Sequence, residues 1–139
     1  MTTRSDERNE FLTDLFVTAM EHGGYGAFRV HEYEWDMEPE DIYAVISFGD
    51  ECESCDDGVC TSHRVTLDTM ARGLRVIRDA VTKDDVLYNR TYGMRLYLAE
   101  ASRRELMLCD RTNGDDGDYD VVDALAVVEC ALFGRVVYA

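Results

Sequence analysis

Residues 121–133 read VVDALAVVECALF, a nearly unbroken apolar stretch, and no other segment restricts the fold of this chain as strongly. Asp120 stands ahead of it as a helix N-cap with Asp123 three positions on, and Gly134 follows as a stop. A helix apolar on almost every side must be buried on most sides, so the rest of the chain has to pack around it. With 139 residues, 46 % of them apolar, the chain supports one core and one domain over 1–139.

The other elements follow from periodicity and punctuation. Ser5, with Asp6 and Glu7 behind it, caps a first helix carrying Leu12, Leu15, Phe16, Ala19 and Met20 at helical spacing, ending near His22 before Gly23-Gly24 and Gly26. Residues 27–35 alternate as a strand, with Phe28, Val30, Glu32 and Glu34 on one side and Arg29, His31, Tyr33 and Trp35 on the other. Pro39 marks a turn before a second strand over 42–48, and 63–67 reads as a short third strand. Asp68 is then a candidate cap for a helix with the stripe Leu67, Met70, Ala71, Leu74, Ile77 and Val81. Residues 87–98 carry both strand and helix signals, and helix preference over 99–108 favours a helix from about residue 92. Residues 113–117 form a loop, and 135–139 add a short strand or a docked tail. The expected architecture is α+β: an N-terminal helix, a small antiparallel β-meander, then about three helices, the last largely buried.

Charge excludes some functions. The chain holds 29 acidic against 14 basic residues, a formal charge of −15, which opposes binding to a phosphate backbone. No direct nucleic-acid partner is expected. Carboxylates accumulate over 32–57 and again from Asp115 to Asp123. No run approaches the roughly 18 apolar residues of a membrane span, and residues 1–8 are polar, so a soluble cytoplasmic protein is expected.

The sharpest chemical motif is Cys52, Cys55, Cys60 and His63, in the spacing C-x2-C-x4-C-x2-H within an acidic hairpin loop, 49–63. Two Cys separated by two residues, a third Cys and a His make four tetrahedral ligands for Zn²⁺ and leave no open vertex, so the metal would staple the loop and not catalyse. Inert surface thiols, a disulfide and a redox CxxC are the alternatives. Redox is the weakest, because Asp50, Glu51, Glu53, Asp56 and Asp57 crowd the sulfurs with negative charge, which disfavours a reactive thiolate and favours a bound cation. Cys109 and Cys130 fall on apolar helix faces and are expected to be core thiols.

Other chemistries find no support. The zinc deaminase pattern fails, because the position two after His31 is Tyr33 and Glu51 precedes Cys52 where a Pro is required. The acidic loop 110–120 lacks the EF-hand register: with Gly117 sixth, Thr112 stands first and Gly114 third. No phosphate-binding glycine loop, H-E-x-x-H, G-x-S-x-G or dinucleotide fingerprint is present, so an enzyme is not expected.

The segments Phe11-Leu12-Thr13-Asp14, Thr18-Ala19 with Glu21-His22-Gly23-Gly24, Val65-Thr66-Leu67-Asp68-Thr69, and Leu132-Phe133-Gly134 before Val137-Tyr138 carry a resemblance. The chain resembles a group of small proteins that recur in actinobacterial genomes and their bacteriophages. It departs from that group at His22 and Ala139, where Gly is expected, and in its Cys-rich loop. The resemblance implies a phage or prophage setting in the host cytoplasm and no particular activity.

Three functions are compatible with these features. The first is a non-enzymatic protein-binding module, an inhibitor or adaptor acting on a host or phage protein, with Glu32, Tyr33, Glu34, Trp35 and Asp36 as the contact surface. The second is a DNA mimic whose carboxylates over 32–57 replace phosphates in the basic groove of a nucleic-acid enzyme. The third is a homo-oligomeric binder of a phosphate-bearing ligand through Arg72, Arg75 and Arg78, three forks on one helix side. A solvated helix face with weak ion pairs is the plainer account of that arginine stripe.

Overall fold

The computed structural model describes residues 4–22, 28–48, 62–79 and 100–134. Their order is a helix, a three-strand antiparallel meander and three further helices, the α+β architecture expected. Helix α1 spans Asp6–His22. Ser5 caps it, its Oγ accepting from the Arg8 backbone N–H at 3.1 Å and its carbonyl from Asn9 at 3.0 Å. The inner face buries Phe11, Leu12, Leu15, Phe16, Ala19 and Met20, which leaves Asp6, Glu7, Glu10 and Asp14 in solvent.

Strands β1 (Phe28–Glu34), β2 (Tyr43–Phe48) and β3 (His63–Thr66) pair in that order, with a short 3-10 turn, Pro39–Asp41, leading into β2. The β1–β2 register shifts between Val30 and Glu32, so His31 is an extra residue in a bulge. A bulge reverses the side-chain alternation beyond it. Tyr33 therefore joins Phe28 and Val30 on the core side, opposite Ala44, Ile46 and Phe48, and not the face of Arg29 that strict alternation predicts. Its ring packs 5.8 Å from that of Phe16.

Helix α2, Leu67–Asp79, starts two residues earlier than a cap at Asp68 predicts. Its cap is Thr66: the Thr69 N–H points to Thr66 Oγ1 at 3.4 Å, and Thr69 Oγ1 accepts from the Thr66 N–H at 3.0 Å. Asp68 is not the cap, because the helix has begun before it; its carboxylate instead takes the Arg4 guanidinium. The stripe Leu67, Met70, Leu74 and Ile77 is buried as expected. The choice between strand and helix at 87–98, and Val81, lie outside the described residues. Helix α3 spans Glu100–Thr112.

Helix α4, Val121–Phe133, carries the capping box read from the sequence. Asp120 Oδ1 accepts from the Asp123 N–H and Asp123 Oδ2 from the Asp120 N–H, each at 2.9 Å. Gly134 closes the helix at φ 75°, a left-handed conformation that glycine adopts without strain. From Ala124 to Cys130 no residue is more than 4 % exposed. The chief partner is α2, where Gly73 lets the two backbones approach so closely that a Cβ there would stand 2.0 Å from the Val127 carbonyl oxygen. The buried apolar residues form one cluster from α1 through the sheet to α4. Among the described residues no helix is long and apolar enough to cross a membrane.

Candidate functional site

Cys52, Cys55 and Cys60 lie outside the described residues. Of the four expected zinc ligands only His63 is placed, at the start of β3 on the core side of the sheet. Its ring meets Phe48 at 5.9 Å and Phe133 at 5.7 Å, edge to face in both cases. Among the described residues no group of three or more His, Cys, Asp or Glu is arranged to hold a metal. Cys109 and Cys130 are buried free thiols, as expected. Burial, with a smaller contribution from the neighbouring Glu129 charge, pushes the Cys130 thiol up to about 12, so it is no nucleophile. Glu129 itself is fully buried in α4, and sequence reading passed over it because its neighbours are apolar.

Arg72, Arg75 and Arg78 are all exposed on α2. Arg72 Nε donates to the Ala131 carbonyl at 3.3 Å, near the end of α4, and Arg78 Nε lies 3.6 Å from Asp79. None of the three lines either of the two hollows described below. A Ser–His contact exists, with His31 Nε2 2.6 Å from Ser47 Oγ, but Ser47 is fully buried and closed to substrate.

The expected contact surface, Glu32, Tyr33, Glu34, Trp35 and Asp36, divides in two. Tyr33 is partly buried, and its hydroxyl donates to Glu21 at 3.3 Å. Burial first, and then the Glu21 charge and hydrogen bond, raise its hydroxyl to about 12. Glu32 is tied into the outer face of the sheet, accepting from the Tyr43 hydroxyl at 3.4 Å, and Arg64 lies 4.1 Å over the Tyr43 ring. Glu34, Trp35 and Asp36 face solvent. Trp35 is 49 % exposed and Met37, which sequence reading did not single out, 47 %.

Trp35 and Met37 edge a hollow of about 280 Å³ between the β1–β2 connection and α1. Pro39 and Ile42 complete its apolar side, while Asp6, Glu10 and Asp14 supply carboxylates from α1. The capped start of α1 places these acids outward: its inner face is committed to the core, so residues 6, 10 and 14, four apart, share the solvent face.

A second hollow, about 340 Å³, lies along α1 where the α3–α4 loop returns. Arg8 ties this loop down: Nη2 reaches Asp110 Oδ1 at 2.6 Å, and Nη1 donates to the Asp110 carbonyl at 2.8 Å and to Asn113 Oδ1 at 3.3 Å. Gly117, at φ 84°, lets the loop pass where a Cβ would stand 2.4 Å from the Glu105 carbonyl. Phe11 and Tyr119, edge to face at 6.2 Å, form the aromatic part of the lining, and Glu7, Asp115 and Asp118 add charge. Glu10 and Asp14 line both hollows, so the two form one surface divided by α1.

Compared with protein-family models, with curated proteins and with solved structures, the chain matches none.

Proposed function

We propose that this protein is a non-enzymatic binding module that acts by contact with another protein through the Trp35–Met37 surface. The observation that carries the reading is that the chain's single tryptophan and a nearby methionine stand half exposed at the rim of a hollow instead of joining the core. Trp and Met are enriched at protein interfaces, where a large apolar side chain seated in a partner pocket supplies a disproportionate share of affinity. The phage or prophage setting implied by the resemblance makes a host factor in the cytoplasm a natural target, with inhibition or adaptation as the outcome. A DNA mimic is less well supported, because Trp35, Met37 and Pro39 interrupt the carboxylates where a duplex surrogate needs an unbroken charged row.

The test is affinity capture from cells of the source or host with wild type and with the W35S/M37S double variant. Both substituted side chains are largely exposed, so the variant should keep the wild-type circular dichroism. A protein held by wild type and released by the variant is expected. Identical capture by the two proteins contradicts the proposal.

A further inference from the structure

Resting on the binding-module reading above, we infer that the partner presents a cationic segment with an apolar anchor, a basic amphipathic helix, that lies across the exposed face of α1 and fills both hollows. The two hollows differ in chemistry and share a wall. The first offers an apolar side of Trp35, Met37, Pro39 and Ile42. The second offers Phe11 and Tyr119 beneath Glu7, Asp115 and Asp118. Glu10 and Asp14, one helical turn apart, stand between them and face both.

Charge selects the occupant. No Lys, Arg or His is among the described residues that line either hollow. The cations nearest in sequence are already paired, Arg4 with Asp68 and Arg8 with Asp110, and Arg8 also bonds Asn113 and lies 5.5 Å from the Phe11 ring centroid, beside the lining of the second hollow. Asp36 and Glu38, exposed and flanking Met37 in sequence, add carboxylates near the first hollow without lining it. An acidic or neutral segment entering here would meet like charge or leave these carboxylates partly desolvated without a counter-charge. A Lys or Arg in the second hollow gains the Glu10 and Asp14 carboxylates and the partly exposed Tyr119 ring, while Phe11 is buried beneath with Arg8 over its ring. A leucine-sized anchor in the first gains apolar contact with Trp35 and Met37. A basic helix with apolar residues on one stripe offers both groups at the spacing of successive turns.

The test uses Trp35 emission and calorimetry with a synthetic helical peptide of about fourteen residues built from Leu and Lys, and a control peptide in which Ser replaces Leu. The Leu–Lys peptide is expected to bind and to shift Trp35 emission to the blue. The variant E10Q/D14N is expected to weaken that binding about fivefold, within the range that two lost partly exposed ion pairs give. The variant D79N/E105Q removes the same charge from exposed residues outside both hollows, and binding to it should stay within about twofold.

Equal weakening by both double variants would show diffuse attraction to a −15 chain and overturn the inference. So would an unmoved Trp35 emission, or a Ser–Lys peptide that binds as tightly as the Leu–Lys one. A dimer of the protein alone that W35S converts to monomer would make a second copy the occupant and overturn it as well. A Trp35-dependent captured protein alongside indifference to both peptides overturns the cationic partner and leaves the binding-module reading standing.

Discussion

Replacing Gly73 by Ala should destabilise the protein, although at most helical positions the same change stabilises. On a solvent-facing helix, Gly→Ala gains about 1 kcal/mol in helix propensity. At Gly73 the new Cβ would stand 2.0 Å from the Val127 carbonyl oxygen and 2.9 Å from Val127 Cγ1. Ordinary contact begins at 3.4 Å, so α2 and α4 must part by about 1.4 Å, since a carbonyl held in a helix cannot swing aside. Overpacking of this kind costs roughly 1–3 kcal/mol, and a clash with helix backbone that also loosens the buried side chains on both sides of the α2–α4 contact belongs at the upper end, about 3 kcal/mol. Set against the propensity gain, the net loss should be about 2 kcal/mol, a fall in Tm of roughly 5–10 °C for a domain of this size. Urea titration followed by far-ultraviolet circular dichroism measures it, with R75A on the exposed side of α2 as the control expected to stay within about 0.5 kcal/mol. A G73A variant as stable as wild type, or more stable, would refute the close packing of α2 on α4.

Burial raises the Asp123 carboxyl to about 6, above its ordinary 3.8, with Asp120 and Asp118 adding negative charge and the Asp120 backbone N–H pulling the other way. The folded state thus holds this proton more tightly than the unfolded chain, so the stabilisation is full below about pH 4 and lost as pH rises through about 6. D123N keeps an acceptor for the cap and should remove a decline on the order of 1–3 kcal/mol from the stability curve between pH 4 and 7; an unchanged curve would contradict it. R8A strips the counter-charge from the buried Asp110 carboxylate and should cost about 2–4 kcal/mol by urea titration, with part recovered in R8A/D110A; a loss under about 0.5 kcal/mol would show that the clamp does not hold the α3–α4 loop. The Cys52, Cys55, Cys60 and His63 spacing predicts one zinc per chain in a native mass spectrum, removed by chelation, and metal-free protein after expression with zinc would refute that assignment.

Features decided by local chemistry were legible in the sequence. The Asp120–Asp123 box, the Gly134 stop and the burial of α4 follow from side chains within one turn and from an apolar run that admits no exposed face. The meander followed from alternation, yet alternation could not show that His31 bulges out and turns Tyr33 inward, because the register depends on β2. At the start of α2, Asp68 looked the better cap on type alone, while Thr66 and Thr69 form a reciprocal pair once β3 fixes where the strand ends. Gly73 carries no local signal, since its demand comes from a helix more than fifty residues away. Half of the candidate surface was visible as Trp35 among carboxylates. The other half, Met37 and the outward acids of α1, becomes a site only when the fold brings residues 6–14 against residues 35–42.

The most direct test of the central claim is photo-crosslinking in cells with a photoreactive phenylalanine analogue placed at Trp35, and separately at Val122, which is 51 % exposed and lies in neither hollow. A discrete adduct with one partner protein from position 35, absent from position 122 and reduced by E10Q/D14N, is the predicted result. Adducts of equal yield from both positions, or none from position 35, would contradict the assignment of this surface as the place where the protein does its work.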